Sequence, residues 1–275
     1  MADKTSSLQK KLIQERFTTT AGVFADYAVT YRAKFAERLA EMLRATANDR
    51  AADLACGPGT LALPFARRVR WVCGIDLTIA MLERARLTAE SEGLGNIFFA
   101  IGDALSLPFG DESLDIVVTS YSLHHMSDPA RVIREMARVA RPAGRVGIID
   151  IVVPDDARRA RAANQIEIAR DPSHTRSLPR SELEAMLAGA NLRLVGAELG
   201  EMPRMFDHWM HVAGAHRGDQ AYETTRRLMI ESMPDDFAGF HPRYALGEES
   251  QVPLEEQDIA IVNSGIFLAA EKVRA

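Results

Sequence analysis

The chain has 275 residues, of which 47% are apolar and 26% charged, and its net charge is −5. These values are typical of a folded protein with a full core, and they argue against a broad phosphate-binding surface. The two cysteines, Cys56 and Cys73, are too few for a disulfide scaffold or a CxxC-type zinc site. No stretch approaches the roughly 18 apolar residues of a membrane span, and the first twenty residues lack the apolar core of a signal peptide. We therefore expect a cytoplasmic protein without membrane contact.

The chain begins with a helical pattern and continues with alternating strands and helices. In the first 45 residues, apolar side chains recur at steps of three and four. After Arg50, short apolar runs alternate with amphipathic stretches, which indicates a parallel sheet with crossover helices. The predicted strands are residues 51–55, 71–76, 97–102, 114–120, 145–152, 192–199 and 259–272. The sequence thus predicts an α/β, Rossmann-like fold with a doubly wound, seven-stranded, mostly parallel sheet.

No repeat or flexible linker divides the chain, so we expect a single domain over residues 1–275. It would consist of an N-terminal helical cap (1–45) and a cofactor-binding core (50–152). Two connections, 154–177 and 205–250, are long for such a domain, and we expect them to be helical lid insertions. The alternative for both insertions is an interface between the subunits of a homo-oligomer.

The strongest local signal is the segment DLACGPGTLA (53–62), between the first predicted strand and a helix. Gly57 and Gly59 have no β-carbon, so the main chain there can approach a ligand closely. Asp76 ends the second strand, where a carboxylate can accept two hydrogen bonds from a ribose diol. Asp103 follows the third strand and is placed to accept a hydrogen bond from an adenine amino group.

Two cofactors compete for this arrangement. The spacing Gly57-x-Gly59-x-x-Ala62 satisfies the dinucleotide fingerprint, which would indicate NAD. Asp53 favours the other cofactor, because a carboxylate before the glycines repels a pyrophosphate but suits an ammonium and a sulfonium group. The residues therefore favour S-adenosylmethionine over NAD.

A series of motifs extends through this region: the glycine loop, the Asp76 strand end, Gly102-Asp103-Ala104, LDIVV (114–118) and Leu123-His124-His125. It resembles the class I S-adenosylmethionine-dependent methyltransferases, and most closely the branch with the ubiquinone and menaquinone C-methyltransferases. Ala55 departs from the family pattern, which often has a glycine there. Alanine should be tolerated if the position needs no positive φ.

The resemblance implies a set of cofactor-binding residues. Gly57 and Gly59 would line the methionine part, Asp76 would hold the ribose, and Asp103 would frame the adenine. Tyr27 would reach the cofactor from an N-terminal helix laid over it, although a core aromatic is the alternative for this residue. The full set is Tyr27, Asp53, Ala55, Gly57, Gly59, Asp76, Leu77, Gly102, Asp103, Ala104, Ser120 and Tyr121.

Methyl transfer depends mainly on alignment and on the exclusion of water, so it does not require a dedicated catalytic side chain. An enol, phenol or hydroquinone acceptor still benefits from a base, and histidine is suited to that role near neutral pH. The candidates are His124 and His125, after the fourth strand, and His174, in the polar segment RDPSHTRS. The alternative is packing for the pair and a helix cap for His174.

We expect the partner to be a small-molecule methyl acceptor and neither a nucleic acid nor a metal. The fourth strand ends in TSYSLHH rather than in the motif of nucleic-acid amino-methyltransferases. His208 and His211 have no acid or cysteine at ligand spacing beside them. The methionines and aromatics of 205–210 would instead form an apolar lid over the acceptor.

The sequence therefore predicts an S-adenosylmethionine-dependent methyltransferase for a small, apolar or aromatic metabolite. C-methylation of a quinol-like ring and O-methylation of a hydroxyl are the leading reactions. Two alternatives stay open at this point: a nicotinamide-dependent oxidoreductase, and a protein that binds the cofactor without transferring its methyl group.

Overall fold

The structure, a computed structural model, describes residues 2–247 and 250–274, without the side chains of residues 2–5 and 24–33. Within these residues the chain forms nine strands in one sheet. They are β1 (Arg50–Leu54), β2 (Trp71–Asp76), β3 (Ile97–Ile101), β4 (Leu114–Ser120), β5 (Ala140–Val153), β6 (Leu178–Pro179), β7 (Leu192–Met205), β8 (Arg243–Tyr244) and β9 (Ile259–Lys272).

Seven long strands lie in the order β3-β2-β1-β4-β5-β9-β7. β9 runs antiparallel to β5 and β7, whereas the other neighbours along this order are parallel. This confirms the predicted doubly wound, seven-stranded, mostly parallel sheet. The two-residue strands β6 and β8 pair with β5 and β9 at its side and were not predicted.

Helices cover both faces of the sheet. They are α1 (Ala2–Met42), α2 (Ala62–Ala66), α3 (Ile79–Ser91), α4 (Pro129–Val139), α5 (Ala157–Arg170), α6 (Arg180–Gly189), α7 (Phe206–Val212) and α8 (Gln220–Glu231). Leu39 of α1 and Phe65 of α2 are buried in the core on one face, and Ile133 of α4 and Leu183 of α6 in the core on the other. Burial of both faces explains why the strands are nearly continuous apolar runs.

The predicted strand ends differ from the structure by more than one residue in two strands. β5 begins at Ala140 rather than at residue 145, and β7 continues to Met205 rather than ending at residue 199. The extension of β7 follows from its partner, because it pairs with the 14-residue β9 as far as Met205 opposite Ala260. Pairing with a long neighbour decides such a boundary, and sequence periodicity does not record it.

The two predicted insertions contain α5, α7 and α8, which share a third buried cluster. Trp209 and Tyr222 are among its largest side chains, and each is 2% exposed. Phe206 and Met210 are also fully buried in it. Among the described residues, no helix is long and apolar enough to cross a membrane.

Candidate active site

A cavity lies at the carboxyl ends of β1 to β4, where the strand order reverses between β1 and β4. Such a switch point is where open α/β sheets bind ligands. We call it the glycine-loop cavity. Of the predicted site residues, those in its wall are Ala55, Gly57, Asp76, Leu77, Gly102, Asp103, Ala104, Ser120, Tyr121 and His125.

The glycine loop has the left-handed backbone conformation that its glycines permit. The φ angles of Gly57 and Gly59 are +54° and +89°. A β-carbon on Gly59 would lie 2.9 Å from the Leu63 Cγ, so this position also lacks space for a side chain. Ala55 has a φ of +50°, so the condition for tolerating its methyl group without strain is not met.

Two carboxylates fasten the loop to the sheet. Asp76 Oδ2 accepts a hydrogen bond from the Gly57 N–H at 2.8 Å, and Asp76 Oδ1 accepts one from the Thr78 N–H at 2.8 Å. Asp53 Oδ2 accepts one from the Ala62 N–H at 2.9 Å. Burial raises the pKa of both carboxyl groups, although these N–H groups oppose the rise.

Asp53 differs from Asp76 in its position. It is 1% exposed and is not among the described residues that line the cavity, and its Oδ1 has no hydrogen-bond partner among them. The structure therefore places Asp53 behind the loop, where it holds the start of α2. Gly59 likewise shapes the turn without lining the cavity.

The first turns of α1 cover the glycine-loop cavity. Ile13 and Phe17 line it, and the Gln14 Nε2 donates a hydrogen bond to the Leu77 carbonyl at 2.9 Å. The Lys10 Nζ lies 2.6 Å from the Asp103 Oδ2. None of these four α1 residues was predicted, whereas the side chain of Tyr27, which was, lies outside the described residues.

A second cavity adjoins the first, because Phe17, Tyr121 and His125 line both. We call it the arginine cavity. Its other described lining residues are Arg16, Thr20, His124, Ile151, Glu167, Arg170, Asp171, Arg204, Trp209, Val212 and Asn263.

The three predicted histidines come together beside this cavity. The ring centroid of His124 lies 4.3 Å from that of His125 and 5.3 Å from that of His174. All three side chains are buried, at 9%, 8% and 5% exposure. The sequence placed them near the same edge of the sheet but did not predict that they touch.

His124 is the member of the cluster that is paired with a carboxylate. Its Nδ1 lies 2.5 Å from the Asp150 Oδ1, and Asp150 Oδ2 accepts a hydrogen bond from the Leu123 N–H at 2.9 Å. Burial disfavours the charged ring, but attraction to Asp150 outweighs this and raises the pKa of His124. With its Nδ1–H donated to Asp150, His124 keeps its Nε2 lone pair for a proton.

The other two histidines are held neutral. Burial and repulsion from His124 lower the pKa of His125 to about 4 and that of His174 to about 2. The His125 Nδ1 lies 3.0 Å from the Ser173 carbonyl, and the His174 Nε2 lies 3.0 Å from the Asn164 Oδ1. His174 is not among the described residues that line either cavity, so the structure places it behind His124.

Charged side chains from α1, from the first insertion and from β7 form the far wall of the arginine cavity. The Arg16 Nε lies 3.3 Å from the Asp171 Oδ2, and the Arg170 Nη1 lies 3.4 Å from the Glu167 Oε2. The Arg170 guanidinium carbon also lies 4.4 Å from the centroid of the Trp209 ring. The apolar lid predicted for residues 205–210 does not form as expected. Phe206 and Met210 are buried in the third cluster and are not among the described residues that line the cavity.

The sequence analysis did not predict several residues of this wall. Arg16, Arg204 and Asn263 carry no local motif, and only the fold brings them together. Asp150 could have been found, because a lone acid in the apolar run GIIDIV, at the end of a predicted strand, is itself a signal.

Comparisons with known proteins bear on this site. A methyltransferase domain family matches residues 51–144. The chain is 32% identical over 198 residues to the uncharacterized methyltransferase YcgJ of Bacillus subtilis, covering 72% of this chain and 78% of that protein. The crystal structure of YcgJ superposes with a TM-score of 0.79 at 28% identity, covering 87% of this chain and 98% of YcgJ.

Two further relatives have names that state an acceptor. The 27-O-demethylrifamycin SV methyltransferase of Amycolatopsis mediterranei is 33% identical, over 78% of this chain and 80% of its own length. The ubiquinone/menaquinone biosynthesis C-methyltransferase UbiE of Bdellovibrio bacteriovorus is 34% identical, over 42% of this chain and 49% of its own length. The chain therefore belongs to the class I S-adenosylmethionine-dependent methyltransferases, and its cofactor is S-adenosylmethionine.

Proposed function

We propose that this enzyme methylates a small aromatic metabolite in the arginine cavity, at a hydroxyl oxygen or at a ring carbon activated by that hydroxyl. The observation that supports this most is that the two cavities share a wall, formed by Phe17, Tyr121 and His125. A group passed across this wall leaves the glycine-loop cavity and enters the arginine cavity. The single domain 1–275 and its division into cap, core and lid insertions are part of the same proposal.

The residues in the glycine-loop cavity fit S-adenosylmethionine. Its wall offers two carboxylates, Asp76 and Asp103, for the ribose hydroxyls and the adenine amino group, with apolar Leu77 and Met81 nearby. The main chain at Gly57 leaves room for the methionine part. When bound, the cofactor supplies an electrophilic methyl group on a sulfonium sulfur.

His124 acts as the general base in this proposal. It lines the arginine cavity, and Asp150 orients its ring and stabilises its protonated form. Because the pKa of His124 is raised, it accepts a proton from a phenol or enol more readily than an ordinary histidine. The base must be neutral to act, so methyl transfer should accelerate as the pH rises through this pKa.

The lining favours an aromatic acceptor over a purely apolar one. Phe17, Tyr121 and Trp209 provide aromatic surfaces, whereas the arginines and acids make the rest of the wall polar. The relatives support small molecules as substrates, since one is named for an O-demethylrifamycin and another for quinone C-methylation. The lid insertions would close this cavity through α5 and α7.

The test uses methyl-deuterated S-adenosylmethionine, the purified enzyme and a metabolite extract, with mass spectrometry of the small-molecule, nucleic-acid and protein fractions. We expect a small aromatic molecule to gain the three deuterium atoms. His124→Gln should slow this labelling strongly. The matched control is His241→Gln, because His241 forms an exposed pair with Asp236 at 2.9 Å. Label only in nucleic acid or protein, or equal rates in both variants, would contradict the proposal.

A further inference from the structure

A small pocket adjoins the arginine cavity on the side of α5 and β9. The two share Ile151, Glu167 and Asn263 in their described walls. The rest of the described lining of the pocket is mostly apolar, but Ser177 also belongs to it. We call it the serine pocket. Because the two walls are shared, a substituent of a molecule in the arginine cavity would lie beside this pocket.

Two side chains in the wall of the serine pocket have buried polar atoms without a hydrogen-bond partner among the described residues. Asn263 is 5% exposed and its Oδ1 is unpartnered, and Ser177 is 1% exposed and its Oγ is unpartnered. A buried polar atom without a partner costs stability, and native proteins contain few of them. Two such atoms in the wall of one pocket point to a polar group that binds there.

Neighbouring side chains hold both residues in place. Asn164 Oδ1 accepts a hydrogen bond from the Ser177 N–H at 2.6 Å, and Asn164 Nδ2 donates one to the Ser177 carbonyl at 3.1 Å. The Asn263 Nδ2 faces the Glu167 Oε1 at 3.5 Å, which leaves the amide oxygen on the other side. Polar atoms that are already oriented lose little freedom when a ligand binds.

The two unpartnered atoms differ in what they need. Asn263 Oδ1 can only accept a hydrogen bond, whereas the Ser177 hydroxyl can donate one. A ligand hydroxyl satisfies both, because it donates one hydrogen bond and accepts another. A carboxylate has no hydrogen for Asn263, and an ammonium group cannot accept from Ser177. The serine pocket therefore fits an uncharged hydroxyl group best.

We propose that the serine pocket binds a second hydroxyl group of the methyl acceptor, which donates to Asn263 Oδ1 and accepts from Ser177 Oγ. The first hydroxyl lies beside His124 in the arginine cavity. The acceptor is then an aromatic diol, and Asn263 and Ser177 select it over a ring with one hydroxyl. This inference rests on the proposed function, because it takes the arginine cavity as the acceptor site.

The test is calorimetry on the full chain saturated with S-adenosylhomocysteine. The probes are catechol, resorcinol and hydroquinone, each compared with the fluorophenol in which fluorine replaces one hydroxyl. Fluorine keeps the size of the ring substituent nearly unchanged but cannot donate a hydrogen bond. We expect at least one diol to bind about tenfold more tightly than its fluorophenol, because its second hydroxyl satisfies two buried atoms.

Two variants assign this difference to the serine pocket. Asn263→Leu and Ser177→Ala should each weaken the preferred diol about fivefold to tenfold and leave its fluorophenol nearly unchanged. A purely structural role would change both affinities alike. Ser91→Ala is the control, because the exposed Ser91 hydroxyl donates within its own helix to the Thr88 carbonyl at 2.8 Å. Retained S-adenosylhomocysteine affinity shows in each variant that the fold is intact.

The outcomes distinguish this inference from the proposed function. Diols that bind no more tightly than the fluorophenols, as expected if the pocket holds only water, would overturn the inference and leave an aromatic acceptor in place. A diol preference that survives in both variants would overturn it as well. If neither diols nor fluorophenols bind, both the inference and the aromatic acceptor fail. A chain that does not bind S-adenosylhomocysteine would refute the assignment of the glycine-loop cavity itself.

Discussion

The two cavities are built in different ways. The glycine-loop cavity takes most of its wall from residues 55–126, at the ends of four successive strands, and uses main chain and short side chains. The arginine cavity collects long charged side chains from residues as far apart as Arg16 and Asn263. A cavity of the first kind is recorded in local motifs, whereas one of the second kind exists only once the chain has folded.

The largest expected effect is a loss of stability in acid, and it should act through the histidines beside the arginine cavity. The pKa of His125 is about 4 in the folded protein and about 6.5 when unfolded. As the pH falls from 6.5 towards 4, the unfolded chain binds the proton first, so stability declines by about 3 kcal/mol from this residue. His174 acts in the same direction, whereas His124, with its raised pKa, contributes stability that is fully present below pH 6.5 and is lost as the pH rises through that raised pKa.

Urea unfolding at pH 7.0, 5.5 and 4.5 would measure this decline. His125→Gln removes one contributor and should make the decline shallower. A decline of equal steepness in the variant would show that His125 does not cause it.

A substitution of Asp76 tests the glycine-loop cavity. Asp76→Ala removes a carboxylate that holds Gly57 and is assigned to the ribose. Charged hydrogen bonds contribute about 1.5–3 kcal/mol, so S-adenosylhomocysteine should bind about tenfold to a hundredfold more weakly in calorimetry. Glu90→Ala, at an exposed ion pair with Arg86, is the control. Unchanged affinity in Asp76→Ala would refute the ribose assignment.

Gly59 tests how far the loop depends on its backbone. Gly59→Ala introduces a β-carbon 2.9 Å from the Leu63 Cγ at a φ of +89°, and should cost about 2 kcal/mol in free energy of unfolding. Gly93 has a φ of +66° but no atom within 4 Å of the added carbon, so Gly93→Ala should cost about 1 kcal/mol. Equal losses in thermal unfolding would mean that the contact with Leu63 does not matter.

The smallest effect is expected at Ala55. Ala55→Gly relieves the strain of a φ of +50° but adds freedom to the unfolded chain, so the two effects nearly cancel. The free energy of unfolding should change by less than about 0.5 kcal/mol. A large gain in stability would show that the alanine strains the loop more than its φ indicates.

Most of the sheet could be predicted from the sequence, because buried strands are short apolar runs bounded by glycines and polar residues. The end of β7 could not, since its long neighbour β9 determines it, and neither could the start of β5, where Ala140 pairs with Leu114 of β4. Gly57, Asp76 and Asp103 could be predicted for the site because each lies beside its own strand. Lys10 and Phe17 could not, because a helical stripe does not indicate which part of α1 meets the cavity.

Only separate residues of the arginine cavity and its surroundings could be predicted from the sequence. The sequence indicated His124, His125 and His174 one at a time, but their contact depends on how the first insertion folds back, with the Thr175 N–H donating to the His124 carbonyl at 2.8 Å. Arg170 and Asn263 are separated by more than ninety residues and meet through α5 and β9. Charge on such a wall is a property of the tertiary structure.

In the proposed reaction, the methyl group crosses the wall between the two cavities. A crystal structure of the protein with S-adenosylhomocysteine would test it most directly. We expect ribose hydroxyls within hydrogen-bond distance of Asp76 and a sulfur atom that faces Tyr121 and His125. A sulfur atom that faces away from the arginine cavity, or a ligand bound elsewhere, would contradict it.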